Sequence, residues 1–202
     1  MKKYFLISMI ALFAVFLTST ADAQMETHWD LQWNISVPAS DFKEFIDETS
    51  VRGIEFGGSY HFETNVTLGA AIGYGAFFKK TGRLTVNYEN NTLTSIHFRD
   101  LYSYYFLAEG GYAYQSDFFM TPYARVGIGA FYTEQITQLG LLYWKDESWD
   151  FGIRPELGVL IEVPDSGVGF IVNAKYNTVF NYGNDLENLN YLAFGLGFIF
   201  GF

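Results

Sequence analysis

Three histidines and six charges spaced at alternate positions are the side chains in this sequence most able to do chemistry. Nucleophilic catalysis needs a hydroxyl or thiol beside a base. Cysteine is absent, which excludes thiol catalysis, disulfides and lipid attachment to an N-terminal cysteine. His28 stands alone, His61 is followed by Phe62-Glu63, and His97 by Phe98-Arg99, with Ser95 two residues before it. No two histidines have a ligand-like spacing, so neither a metal site nor a cofactor is expected, and no catalytic residue is assigned. The charges form a more orderly set. Glu55, Glu109 and Glu156 balance Arg125, Arg154 and Lys175, and each sits opposite a large apolar neighbour in an alternating segment.

Those segments are what must position the charges. Successive strand side chains point to opposite faces, so period-two alternation marks a strand with two unlike sides. Eight such segments can be counted: Trp29 to Val37, Gly53 to Phe62, Thr67 to Phe78, Tyr102 to Tyr114, Met120 to Tyr132, Phe151 to Val163, Val168 to Phe180 and Tyr191 to Phe202. The last is the clearest. Phe202, Phe200, Phe198, Leu196, Phe194 and Leu192 share one face, while Gly201, Ile199, Gly197, Gly195, Ala193 and Tyr191 share the other. Glycine weakens a strand, so its repetition on one face needs a spatial reason, and the inside of a narrow closed barrel is one. A bilayer outside accounts for the Phe and Leu. Each segment has about the 9–11 residues a tilted membrane strand requires.

Connections alternate short and long. Tight turns follow segments two, four and six; Pro38–Arg52, Lys79–Leu101, Thr133–Asp150 and Asn181–Asn190 are longer and polar. Short periplasmic turns and long extracellular loops give this rhythm, with both termini in the periplasm. The start of the chain carries Lys2 and Lys3, an apolar run from Tyr4 to Leu17, and Ala21-Asp22-Ala23. That predicts a signal peptide over residues 1–23, cut before Gln24, and a single domain over 24–202; an uncleaved anchor is the competing reading. Loss of two Lys and one Asp with the leader takes the formal charge from −10 to −11, a poor balance for binding nucleic acid.

A soluble eight-stranded barrel is the alternative, but it would expose a Gly/Ala face with very few charges. Two rings of aromatics fit a membrane better: Trp29, Phe62, Tyr112, Tyr114 and Phe119 at one set of strand ends, and Tyr102, Tyr132, Trp149, Phe151 and Phe180 at the other. Leader, eight alternating strands, four long loops and terminal Phe202 together resemble the OmpA/OmpX-type small outer-membrane barrels. The resemblance rests on pattern and covers nearly all of the mature chain. It implies an all-β, eight-stranded antiparallel transmembrane barrel in the outer membrane of a Gram-negative-type bacterium. It also implies that the last strand, with Phe198, Phe200 and Phe202, is read by the barrel assembly machinery. Family members include adhesion and integrity proteins, narrow channels and lipid-modifying enzymes, so membership does not fix a task. The eight-stranded lipid A deacylases place a serine close after a histidine; His61 and His97 both lack it.

The expected function is therefore a non-enzymatic, monomeric barrel serving envelope structure or surface interaction, embedded in outer-membrane lipid and meeting an extracellular ligand. The alternative is a narrow channel for small or apolar solutes. Eight strands leave an interior just wide enough for side chains, which argues against a general porin. Glu55, Glu109, Arg125, Glu156 and Lys175 fall five to seven residues in from the periplasmic ends and Arg154 nine in, so a mid-barrel charge network is expected. Glu109 would pair with Arg125 and Glu156 with Lys175 across adjacent strands. A wetter lumen with each charge separately solvated is the alternative. Outside the barrel, Leu84, Val86 and Tyr88 face Ile96 and Phe98 across Glu89-Asn90-Asn91-Thr92, predicting a raised hairpin able to accept an external strand. Shielding of the barrel mouth is its other reading. Asp41 followed by Glu44 predicts a short helix, with Phe42, Phe45 and Ile46 near the membrane interface.

Overall fold

The computed structural model describes residues 26–88, 91–114, 119–139, 142–164, 166–180 and 188–201. Eight strands, β1 (Glu26–Ala39), β2 (Ser50–His61), β3 (Val66–Tyr88), β4 (Asn91–Ala113), β5 (Met120–Leu139), β6 (Leu142–Glu162), β7 (Val168–Phe180) and β8 (Asn188–Gly201), form a closed barrel in sequence order. Every neighbouring pair is antiparallel, including the closure of β1 on β8, where Leu31 pairs with Phe198. Closure leaves no unpaired edge at membrane depth, as a bilayer with no water for backbone groups demands. Tight turns join β2 to β3 and β6 to β7; Asn65 (φ 64°) and Gly167 (φ 64°) take the left-handed conformation those reversals need.

The alternation dictates which face is which. Leu68 and Ile72 on β3, Phe106 on β4, Val126 and Ile128 on β5, Leu157 on β6 and Phe194, Leu196 and Phe198 on β8 are all exposed on the outside. Trp29, Tyr112, Tyr114 and Phe119 are exposed near one rim, and Trp149 and Phe151 near the other. The small residues turn inward, and two strands specialise in them. Ala71 and Gly75 on β3, and Ala193, Gly195 and Gly197 on β8, line the lumen. A Cβ on Gly73 would strike the Tyr105 ring, and one on Gly195 would strike Asn173, Gln32 and Asn34. These glycines are where larger side chains from other strands are accommodated.

Strand length departs from the sequence expectation. Residues 79–88 with 91–101, and 133–139 with 142–150, are ladder rather than loop. β3 and β4 have 23 residues each, β5 has 20 and β6 has 21, and β5 pairs with β6 as far as Leu139 and Leu142. The β3–β4 hairpin was foreseeable, whereas the β5–β6 extension lacks an apolar face, so alternation gave no sign of it. In the first connection, a six-residue helix, α1 (Ser40–Phe45), forms as expected, but the capping reading needs correction. Ala39 occupies the N-cap without a side-chain bond, and Asp41 lies within the first turn. The placement also needs correction: Phe42 and Ile46 are fully buried in the barrel mouth, not at the membrane interface.

Candidate functional site

The lumen has three layers. At the extracellular end an apolar plug gathers Phe42 and Ile46 with Phe77, Leu101, Leu107, Phe131, Val179, Leu189 and Tyr191. Phe42 meets Phe77 edge-on with ring centroids 4.9 Å apart, and Phe77 meets Tyr191 at 5.2 Å. α1 reaches this position because Pro38 and Ala39 carry β1 to the rim and the helix folds back over it. Two polar contacts fasten the segment to the tall strands: Lys79 Nζ lies 3.0 Å from Asp47 Oδ1, and Arg99 Nη1 donates to the Phe45 carbonyl at 3.2 Å. At the periplasmic end, Ala113, Tyr123, Leu160, Ile171 and Ile199 form a second apolar cluster. Beside it His28, Asp30, Ser59, His61 and Thr67 line a small chamber.

Between them lie the charges. Arg154 occupies the centre: it donates to both oxygens of Glu55, bonds Glu109 Oε1, and its Nη2 stands 3.7 Å from Glu156 Oε2. Arg125 donates to Glu156 Oε1 at 2.7 Å and lies 3.6 Å from Glu109 Oε2, with its guanidinium 4.5 Å from the Tyr123 ring centroid. Lys175 crosses to Glu55 Oε1 at 2.9 Å, to Gln32 at 2.8 Å and to Asn34 at 3.2 Å. All six charged side chains are buried. Burial of ions is tolerable only with such pairing, and here it is not complete: Glu156 Oε2, with Arg154 3.7 Å away, is left without a hydrogen bond among the described residues.

The expected Glu109–Arg125 contact is therefore present, but the expected Glu156–Lys175 pair is not. Glu156 and Lys175 are in register across β6 and β7, yet the ammonium extends to Glu55 while Glu156 takes Arg125. Strand register fixes where a Cα stands; a four-carbon side chain selects among all acids within its reach. Arg154, counted higher in the sequence, reaches the same layer for a similar reason. Sequence counting left out the neutral partners: Gln32, Asn34, Tyr105, Tyr123 and Asn173. Tyr105 donates to Glu55, and Asn173 Nδ2 donates to Gln32, Tyr123 and Glu156 at 2.8, 3.0 and 2.9 Å. A fourth buried acid, Asp30, accepts from Gln32 Nε2. Their inward parity was the available signal.

Two of the histidines meet in the periplasmic chamber. His28 and His61 lie with ring centroids 4.3 Å apart, and Ser59 Oγ is 3.2 Å from His61 Nε2. Among the described residues no three His, Asp or Glu side chains converge as metal ligands. The side chain of His97 lies outside the described residues, as do the side chains of Leu84, Val86, Tyr88 and Ile96. Their backbones are paired, Val86 with Leu93 and Tyr88 with Asn91. Phe98 packs on Phe78 with centroids 6.1 Å apart. Phe198 and Phe200 face outward, while Phe202 and the leader lie outside the described residues.

Solved structures share this architecture. Neisserial surface protein A superposes with a TM-score of 0.57 at 13% identity, over 89% of this chain and 98% of that one. Ail, the attachment invasion locus protein of Yersinia pestis, gives 0.52 at 13% identity over 89% and 100%. Its complex with the heparin analogue sucrose octasulfate gives 0.51 at 12% identity over the same shares. At such identity the likeness is one of fold. No curated protein sequence matches the chain. The sequence profile of the outer membrane protein beta-barrel domain matches residues 8–200, nearly its whole length. With the closed eight-stranded barrel and its apolar outer belt in view, the chain belongs to that family, as an OmpA/OmpX-type barrel of the Gram-negative outer membrane.

Proposed function

We propose that the protein is a closed, non-enzymatic barrel that holds a four-stranded sheet above the outer membrane for surface interaction. One observation carries this reading: β3–β6 run 20 to 23 residues, about twice what the bilayer needs, on a lumen filled with side chains. The surplus does no membrane-spanning work. Above the register of Arg52 with Ala76, no described strand pairs with β3 on its β2 side, so its upper edge can accept an added strand. Above the aromatic ring, Tyr143 and Trp144 add exposed aromatic surface to β6, of the kind enriched at interfaces.

The test is a pull-down of surface ligands with the intact protein and with residues 81–97 replaced by a two-residue Asn-Gly turn. Loss of capture by the shortened but folded barrel supports the reading. Equal capture by both would overturn it.

The mature domain in this reading is 24–202, released from a leader over 1–23, and monomeric. The last strand serves as the assembly signal. Deleting Phe202 should reduce outer-membrane insertion far more than deleting Gln24, and equal yields of heat-modifiable barrel would refute that role.

A further inference from the structure

Outside the leader and the lumen the sequence has seven bases, and they are unevenly placed. Lys43, Arg52, Lys79, Lys80, Arg83 and Arg99 belong to α1 or to the extracellular parts of β2, β3 and β4, and Lys145 stands apart on β6. The opposite rim carries Glu63 and Glu162 and, among the described residues, no Lys or Arg. Of these, Arg52 and Lys80 stand on the outward faces of described strands. Arg52 is exposed on the outward side of β2, two residues above lipid-facing Ile54. Lys80 is exposed on the outward side of β3, its ammonium 5.7 Å from the Phe98 ring centroid. Neither forms an ion pair with a described residue; partial burial pushes the Asp100 carboxyl above its ordinary value, an effect that the nearby Arg52 guanidinium opposes.

The surroundings fix the depth of these two cations. Directly below them on the same face, Tyr74 stacks with Tyr102 at 6.4 Å and meets Tyr104 at 5.0 Å. Trp33 on the neighbouring strand donates its indole N–H to the Val51 carbonyl at 2.7 Å. Tyr and Trp in a ring mark the boundary between acyl chains and headgroups. Arg52 and Lys80 emerge where that ring ends, four residues apart once Arg52 is read across to its partner Ala76. That is roughly 13 Å along the strand. At the same height on β5 and β6 the only base, Lys145, is held between Glu134 at 3.2 Å and Glu147 at 2.6 Å. On β7 and β8 the outward positions there, Thr178, Phe180, Asn190 and Leu192, carry no charge.

We propose that the β2–β4 sector of the extracellular rim is a headgroup site for a phosphate-bearing glycolipid of the outer leaflet, with Arg52 and Lys80 as its cations. A guanidinium and an ammonium at headgroup depth meet phosphate oxygens without leaving the interface. The aromatic ring beneath packs against the first carbons of the acyl chains. The site stands on charge placement and depth, and holds whether or not the raised sheet binds a protein or glycan.

The full mature barrel would be placed in phosphatidylcholine nanodiscs with and without lipopolysaccharide, and the retained glycolipid counted by native mass spectrometry after a detergent wash. The wild-type protein and Lys145→Gln should retain it equally. Arg52→Gln with Lys80→Gln should retain at least roughly tenfold less, and Arg52→Lys with Lys80→Arg should restore retention. Dephosphorylated glycolipid should wash away from all of them. Equal retention by the Gln double variant, or retention of the dephosphorylated lipid, would overturn the proposal. So would a wild-type barrel that retains a heparin oligosaccharide at this sector in preference to the glycolipid.

Discussion

The barrel has a tall half and a short half. β3, β4, β5 and β6 have 23, 23, 20 and 21 residues, whereas β7, β8, β1 and β2 have 13, 14, 14 and 12. Membrane depth alone sets the short half. Its outward face is Phe, Leu, Val and Trp, and its strands end soon after the aromatic ring. The tall half obeys the same rule up to that ring and then loses it. Tyr143 to Glu147 on β6 are exposed on both faces. Below the ring, sequence is governed by burial on one side and lipid on the other; above it, water touches both sides and the pattern relaxes. The charge layer then joins the halves. Tyr105, Glu109, Arg125, Arg154 and Glu156 come from tall strands, and Gln32, Asn34, Glu55, Asn173 and Lys175 from short ones.

The largest effect should come from cutting that join. Arg154→Ala leaves the buried Glu55 and Glu109 with less compensation and should cost about 3–5 kcal/mol in urea unfolding of the lipid-bound barrel. Adding Glu55→Gln should recover part of it. A loss under about 1 kcal/mol would mean that the halves stand independently, as exposed pairs do. Arg125→Ala sharpens the same point. Glu109 keeps Arg154 after that change, so Glu156→Gln should rescue more stability than Glu109→Gln.

Next in size is the lid that the short half's first connection lays against the tall wall. Phe42 is fully buried, and Phe42→Ala should destabilise by about 3 kcal/mol. Amide hydrogen exchange should rise over α1 more than in the strands. Uniform acceleration across the barrel would show that the lid is not a separable unit.

The alternation made most of this legible. Eight strands, their inward and outward faces, the glycine-lined β8 and the burial of all six charges follow from period two. What the sequence withheld had physical causes. Side-chain reach reassigned Lys175 from Glu156 to Glu55. The β5–β6 extension buries Thr133 and Gln135 but no apolar row, and therefore carries no hydrophobic periodicity. A short amphipathic helix shows which residues are apolar, not which apolar surface receives them, so the sequence does not distinguish the membrane interface from the barrel mouth as the place of Phe42 and Ile46.

A smaller effect should follow removal of the raised tip. With residues 81–97 replaced by Asn-Gly, the membrane-spanning ladder is untouched, so Tm should move by less than ~4 °C. A larger fall would show that the tall half stabilises the barrel instead of being carried by it.

The smallest concerns pH. The Lys79 ammonium holds the Asp47 carboxyl below its ordinary value of 3.8. A depressed carboxylate contributes fully above its ordinary value, and the contribution fades as pH falls through the lowered one. Exchange at α1 should be flat from pH 7 to 5, after correction for intrinsic rates, and rise only below about 4. Asp47→Asn should abolish that rise.

Planar-bilayer recording with the full mature protein tests most directly whether the lumen is closed and the tall sheet is the working surface. The plug of Phe42 and Ile46 above the Arg154 layer predicts a quiet membrane, with no sustained stepwise current at either polarity. Sustained unitary steps from the folded wild-type barrel would contradict it.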